Sequence, residues 1–290
     1  SSTGQDPREN SSASRTVRHV PEFVRIAKKM NRLCPGAVML NVTNPLTALT
    51  RCVQELRVAH DWYLLKGGSP AALTLGGMLH TLGARLLHSY PTTVVLRNKL
   101  VVMQALEARG LPVPATHFAT RPEDVRSLLS SGPLILKPYD GRCGEGIRVI
   151  ECEEELDREP IVAPLLVQQY LPADGPPPAP GRSRFLKVYR IGDGMYGVWR
   201  TWPTPSWADR ESEPCGVPAA VREIVLAVGD VFGLTLYGVD VVFSDGHPHI
   251  VDVIPMGACT GVPHAAQRLA DYFAEVGRRW GHGAPAPAVE

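Results

Sequence analysis

The sequence predicts a mixed α/β protein: a parallel α/β unit followed by a longer portion built on β-hairpins. Three observations carry that prediction. Apolar runs alternate with helically spaced segments from Pro21 to Leu87, the pattern of a parallel sheet layered with helices. Leu134–Ile150 joins two apolar runs through a tip with glycines at 141, 144 and 146. Two more strand pairs, within 185–201 and 237–254, turn at Gly192-Asp-Gly194 and Ser244-Asp-Gly246.

The elements follow in order. Residues 1–15 are rich in Ser, Asn, Gln and Gly and are expected to be disordered. Residues 16–95 read as a Rossmann-like α/β subdomain. In it, Pro21–Leu33 has apolar residues at 23, 26, 27, 30 and 33, which is helical spacing, and Cys34-Pro35-Gly36 stops the helix. Ala37–Val42 is a short buried strand, and Asn44-Pro45 opens a helix to about Glu55. Asp61–Leu65 reads as a strand, Pro70–Ala84 as a helix and Arg85–Leu87 as a short strand.

Residues 96–170 form a second subdomain. Its helix, Arg97–Arg109, is capped by Gly110, and Leu111-Pro-Val-Pro114 leads into a strand at Thr116–Ala119. Pro122–Ser130 is a helix, the glycine hairpin follows, and Leu165–Tyr170 is a strand. Residues 171–280 form the third subdomain. A Pro-rich loop, 173–182, precedes the hairpin of Phe185–Ile191 and Met195–Thr201. Residues 203–217 read as a long loop, Pro218–Phe232 as a helix, Tyr237–Phe243 and His249–Ile254 as a hairpin, and Pro263–Trp280 as a helix. Residues 281–290 read as a frayed tail.

Composition narrows the functional classes. The 290 residues are 44% hydrophobic with a net charge of +1, enough apolar content for a sizeable core and too little charge for bulk binding to nucleic acid or anionic membrane. No apolar run approaches the roughly 20 residues that span a bilayer. Ser1–Arg15 lacks the apolar core of a signal peptide, so the expected location is cytoplasmic. The six cysteines, at 34, 52, 143, 152, 215 and 259, form no CxxC pair and read as reduced thiols. His247 and His249 fall in a turn, which explains their spacing without a metal.

Four features carry chemistry. Lys137 precedes the glycine tip: glycines let backbone N–H groups approach an anion, and the lysine adds a point charge, so phosphate is the natural guest. The order differs from a dinucleotide fold, where the glycines lead into a helix, and from a P-loop, where lysine follows the last glycine. An ordinary hairpin with a mobile turn has the same local sequence. Lys99 begins a helix, a place where a lysine is usually just solvated. The strand ending at Leu171 offers backbone groups to a flat heterocycle. Asp240 and Asp252, each flanked by valines, lie on adjacent hairpin strands. Alternation turns both carboxylates to one face, where they would repel unless a cation such as Mg²⁺ lay between them.

In this order, these stretches resemble the ATP-grasp superfamily over roughly residues 60–280. They are most similar to RimK-like carboxylate–amine ligases and, in the last third, to inositol polyphosphate kinases of the same fold. The carrying segments are Leu64-Leu-Lys-Gly-Gly-Ser-Pro70, Leu96-Arg-Asn-Lys99, Gly110-Leu-Pro-Val-Pro114, Lys137-Pro138 with its loop, Val167-Gln-Gln-Tyr-Leu171, Leu186-Lys-Val-Tyr-Arg-Ile-Gly192 and Tyr237-Gly-Val-Asp240. The resemblance implies an α+β ATP-grasp fold. Residues 96–170 would be the lid, 171–280 the metal-binding subdomain, and the nucleotide would lie between them, with ATP and Mg²⁺ as cofactors.

By the same resemblance, Lys99 and Lys137 contact the phosphates, and the loop with Gly141, Gly144 and Gly146 closes over them. Gln168, Gln169, Tyr170 and Leu171 bind adenine. Lys187 faces the triphosphate or acceptor, Arg200 steadies the transferred phosphate, and Asp240 and Asp252 ligate Mg²⁺. The implied reaction joins a carboxylate to an amine through an acylphosphate, with small molecules or peptides as substrates. A small-molecule kinase and a nucleotide-binding protein with impaired catalysis are the alternatives. One position departs from the family: Ile254 stands where an asparagine ligand is usual.

The leading segment resembles something else. His19–Ala27, Leu33-Cys-Pro-Gly-Ala-Val-Met-Leu-Asn-Val-Thr-Asn-Pro45 and Leu49-Thr50 are similar to NAD-dependent glycoside hydrolases of family 4, with Asn41 and Asn44 at cofactor-side positions. No glycine-rich dinucleotide turn and no Cys/His metal pair accompanies them, so the segment is expected to be structural.

Overall fold

The computed structural model describes residues 38–41, 62–66, 69–138, 146–158, 164–203, 212–255 and 259–280. They divide into two compact units. One draws on residues up to Val94 together with those from Pro263 onward, and the other is Val95–Val262.

In the first unit, β1 (Val38–Asn41) pairs in parallel with β2 (Tyr63–Lys66), the arrangement that alternating strands and helices imply. The helix α1 (Pro70–Thr81) starts where Ser69 accepts from the Ala72 N–H and Pro70 takes the first turn. Its buried residues Ala72, Leu75 and Leu79 pack with Tyr63 and Leu65 of β2. The expected strand at 85–87 is reduced to one bridge, Leu86 to Tyr63. A short helix, α2 (Tyr90–Val95), occupies a stretch where no helix is expected. The helix α7 (Ala265–Trp280) belongs to this unit: Phe273 and Trp280 meet the ring of Trp62, and the Trp280 carbonyl accepts from Arg85.

The second unit contains two antiparallel sheets. The four-stranded sheet has the order β3-β6-β4-β5: β3 (Thr116–Ala119), β6 (Leu165–Gln169), β4 (Leu134–Pro138) and β5 (Arg148–Ile150). The helices α4 (Pro122–Leu129) and α5 (Glu153–Arg158) accompany it, the second in a segment with no helix signal. Its core of Ala119, Val125, Leu134, Leu136, Ile150 and Val167 takes alternate positions of β4. At the glycine tip, Gly146 has φ of 71°, and a Cβ there would lie 2.7 Å from Pro138. Only glycine fits both demands.

The five-stranded sheet has the order β11-β10-β7-β8-β9: β7 (Ser183–Ile191), β8 (Gly194–Trp202), β9 (Glu213–Cys215), β10 (Leu236–Ser244) and β11 (His247–Pro255). The strand β9 lies within 203–217, read from sequence as loop. Proline and charge in Glu213-Pro-Cys215 hide an edge strand. The helix α6 (Ala219–Phe232) presents Val221, Val225, Val228 and Phe232 at helical spacing to Leu186, Val188, Val239 and Val241. Tyr237 anchors this face by donating to the Val225 carbonyl. The helix α3 (Lys99–Glu107) adds Val102, Met103 and Leu106 to the same core.

Candidate active site

The face of the five-stranded sheet away from α6 holds the chemistry-bearing side chains. Lys187 pairs in register with Asp240, and Asp240 with Asp252. The alternation that buries Leu186, Val188, Val239 and Val241 therefore turns Lys187, Asp240 and Asp252 to the opposite face. The register shifts between Asp240 and Val241, so Val251 is an extra residue on β11. This bulge keeps Ile250 and Val253 in the core while Asp252 faces Asp240. Ile250 donates its N–H to the Pro112 carbonyl, which covers the sheet edge at the bulge.

Each aspartate meets a lysine. Lys187 bonds Asp240 at 2.5 Å, and Lys99 bonds Asp252 at 3.0 Å. Lys99 is the first residue of α3, behind the cap Asn98, where the helix dipole disfavours a cation. Asp252 supplies the opposing charge. Burial pushes the Asp240 carboxyl up, Lys187 opposes that, and the facing Asp252 adds to it, so its pKa lies above the usual range. Burial acts the same way on Asp252, but Lys99 and then Lys137 outweigh it, and its pKa is lowered. The pair thus divides into one firmly ionised carboxylate and one more easily protonated.

Lys137 approaches from the four-stranded sheet. Its ammonium donates to Gln168 Oε1 at 2.6 Å. Desolvation, and then the charge of Lys99, lower its pKa to about 8, although Asp252 and Asp240 pull the other way.

Arg200 on β8 is 6% exposed and donates to the Thr260 carbonyl at 2.8 Å, while its Nε and Nη1 are buried without a hydrogen-bond partner. Buried guanidinium donors left open are costly and mark a place for an anion. The loop carrying Thr260 is held by Gly261, whose φ is 85° and whose Cβ would lie 2.8 Å from Val198. Tyr189 shares the site face. Burial, partly offset by Arg200, pushes its hydroxyl pKa up, so it remains protonated.

Three lysines, Lys99, Lys137 and Lys187, thus act on two carboxylates, and Arg200, paired with Phe185, lies on the same sheet face as Lys187. The positive excess suits a polyphosphate. Gly146 is placed beside Pro138, while Gly141 and Gly144 lie outside the described residues. The side chain of Gln168 is taken up by Lys137 and by Thr116, to whose hydroxyl oxygen it donates at 2.9 Å. The N–H groups of Gln169 and Tyr170 donate to the Ala115 and Pro133 carbonyls.

Ile254 lies opposite Gly238, on the face of Asp240 and Asp252. Arg190 points the other way: its Nε donates to the Gly192 carbonyl, and the guanidinium lies over the Tyr237 ring on the α6 side. Sequence reasoning passed over Thr116, Tyr189 and Thr260 as site residues. Period two in Leu186–Ile191 puts Tyr189 on the face of Lys187 and was a usable signal for one of them. Among the described residues, no group of three or more His, Cys, Asp or Glu side chains is placed to hold a metal.

In fold the chain is similar to the solved ATP-grasp ligase PsnB. A model of the ATP-grasp domain matches residues 96–175, and a model of family 4 glycosyl hydrolases matches residues 4–60, nearly all outside the described residues. A probable alpha-L-glutamate ligase from Stutzerimonas stutzeri (strain A1501) is 24% identical over 57% of this chain and 58% of its own length. One from Aliivibrio salmonicida (strain LFI1238) is 25% identical over 58% of each. The chain therefore spans less than two thirds of the length of these relatives. Among solved structures, D-alanine–D-alanine ligase from Bacillus anthracis complexed with ATP superposes with a TM-score of 0.59 at 15% identity, covering 89% of this chain and 94% of that one. The ATP-grasp ligase PsnB, complexed with a precursor variant, Mg and ADP, gives a TM-score of 0.56 at 19% identity, covering 83% and 77%. No described helix is long and apolar enough to cross a membrane.

Proposed function

We propose that this protein is an ATP-dependent ligase that joins a carboxylate to an amine through an acylphosphate. The observation that carries the reading is the gathering of Lys99, Lys137 and Lys187 at the Asp240–Asp252 pair, with the open donors of Arg200 on the same sheet face, within an ATP-grasp fold. Lys137 and Lys99 hold the phosphates, and the open donors of Arg200 receive the phosphoryl group in transit. The acceptor carboxylate attacks the γ-phosphorus, ADP leaves, and an amine then displaces phosphate. Adenine recognition falls to the backbone around Leu171, because Gln168, Gln169 and Tyr170 already use the donors described above.

Asp240 and Asp252 fit one Mg²⁺, a hard cation that takes carboxylate oxygens. They do not fit two, since Ile254 offers hydrocarbon at the third position. When bound, the ion would neutralise phosphate charge. The names of the sequence relatives make L-glutamate the first substrate to try, and the precursor peptide bound in a PsnB structure adds peptides. Cytoplasmic location remains part of this proposal.

The test supplies ATP, Mg²⁺, amines and ¹⁸O-labelled carboxylates, including L-glutamate and glutamate-ended peptides. Ligation predicts ADP and free phosphate in equal amounts, with ¹⁸O passing from carboxylate to phosphate. ADP without free phosphate would instead show a kinase. Arg190 argues against a kinase for a highly phosphorylated acceptor, because it is spent on the far side of the sheet. Ile254 favours a second reading, nucleotide binding with slow turnover, which ATP binding without ADP release would reveal.

A further inference from the structure

Thr116 is the first residue of β3 and pairs in register with Gln168. Its hydroxyl donates to the Pro114 carbonyl at 2.8 Å, and its oxygen accepts from Gln168 Nε2 at 2.9 Å. Gln168 Oε1 then accepts from Lys137 Nζ at 2.6 Å. The direction of this chain is set at both ends, since the Lys137 ammonium can only donate. A carbonyl can only accept, so the single hydroxyl hydrogen of Thr116 is committed to Pro114, and Thr116 can offer Gln168 only a lone pair. The amide must therefore direct its NH₂ to Thr116 and its carbonyl to Lys137. Gln168 is 3% exposed, so little water is at hand to replace either bond.

We propose that Thr116 is a positioning residue for Lys137: it locks the Gln168 amide so that its carbonyl holds the ammonium at the phosphate site. The inference rests on the ATP reading above. Without the hydroxyl, the buried NH₂ of Gln168 is left without its acceptor. The side chain is then free to turn in search of another, which takes its carbonyl off the ammonium. Lys137 then loses the acceptor that holds its ammonium in place, while Asp252 and Asp240, which attract it, stay where they are. Lys99 is the other charged group facing it, and it repels.

The test is calorimetric titration of ATP into wild type, Thr116→Val and Thr116→Ser, with melting temperatures for all three. Thr116→Val is expected to weaken ATP about tenfold, and Thr116→Ser, which keeps the hydroxyl, to stay within about twofold. Thr116→Ala replaces the valine variant if that one does not fold. Equal affinity for wild type and the hydroxyl-less variant overturns the proposal, as does a serine variant as weak as valine.

A second arm needs no nucleotide: the ¹⁵Nζ resonance of Lys137 followed against pH. Its midpoint should fall when the hydroxyl is removed, because the charged form loses its acceptor, while Lys99, Asp240 and Asp252 are unchanged. An unmoved midpoint overturns the proposal. No ATP binding by the wild type, together with that fall in the hydroxyl-less variant, sinks the ATP reading and leaves the role of Thr116 standing.

Discussion

The two sheets of residues 95–262 hold their lysines in opposite ways. In the five-stranded sheet, Lys187 is bonded to Asp240, and Asp252 takes Lys99 from α3. In the four-stranded sheet, Lys137 is bonded to a neutral amide. An ammonium paired with a carboxylate is stable where it stands. One held by an amide in a desolvated place has its pKa driven down to about 8 and gains from any anion that arrives. The difference assigns the work: the paired sheet maintains the carboxylates, and the unpaired lysine waits for phosphate.

The largest expected effect breaks the paired side. Lys187→Ala leaves Asp240 enclosed without its cation, and unfolding free energy should drop by about 3 kcal/mol. Denaturant titration measures it, and an unchanged midpoint would show that the pair carries little.

Asp252→Asn should lower ADP release at saturating Mg²⁺ at least a hundredfold, about 2.7 kcal/mol in barrier. Full activity in that variant would place the metal elsewhere.

The unpaired side is sensitive to pH. Between about 8 and the ordinary lysine value of 10.5, the unfolded chain keeps a proton on Lys137 that the folded one has lost. Stability of the wild type relative to Lys137→Met should therefore rise through that window. ATP affinity should move the other way, weakening several-fold as pH climbs through about 8 and the ammonium discharges. A flat pH profile of both quantities would remove the contrast between the sheets.

The smallest effect sharpens the metal side. Ile254→Asn restores an oxygen donor opposite Gly238. It should raise any ATP-dependent turnover a few-fold and bring the Mn²⁺ bound with nucleotide, counted by electron paramagnetic resonance, from one ion to two. Ile254 is partly enclosed, so a small fall in melting temperature accompanies the change. A count of two already in the wild type would contradict the single-ion reading.

Much of this site was legible because strands alternate. Valines on either side of Asp240 and Asp252 placed both carboxylates on one face, and Ser244-Asp-Gly246 set the hairpin that pairs them. The bulge at Val251 that brings them into register left no mark in the sequence. The helices at 90–95 and 153–158 are single short turns whose apolar pattern is too brief to register, and β9 is an edge strand disguised by Pro214. The Thr116–Gln168–Lys137 chain joins residues 31 and 52 positions apart. Only the pairing of β3, β6 and β4 brings them together. That Lys99 and Lys187 are each matched by a carboxylate, and Lys137 is not, depended on the same long-range packing.

The central claim is that Lys137 is the charge kept for nucleotide phosphate, and titration calorimetry of Mg²⁺ and ATP into wild type and Lys137→Ala tests it most directly. The account predicts binding in the wild type and at least a tenfold loss in the variant, about 1.4 kcal/mol, with folding retained. Equal affinity in the two proteins would contradict it.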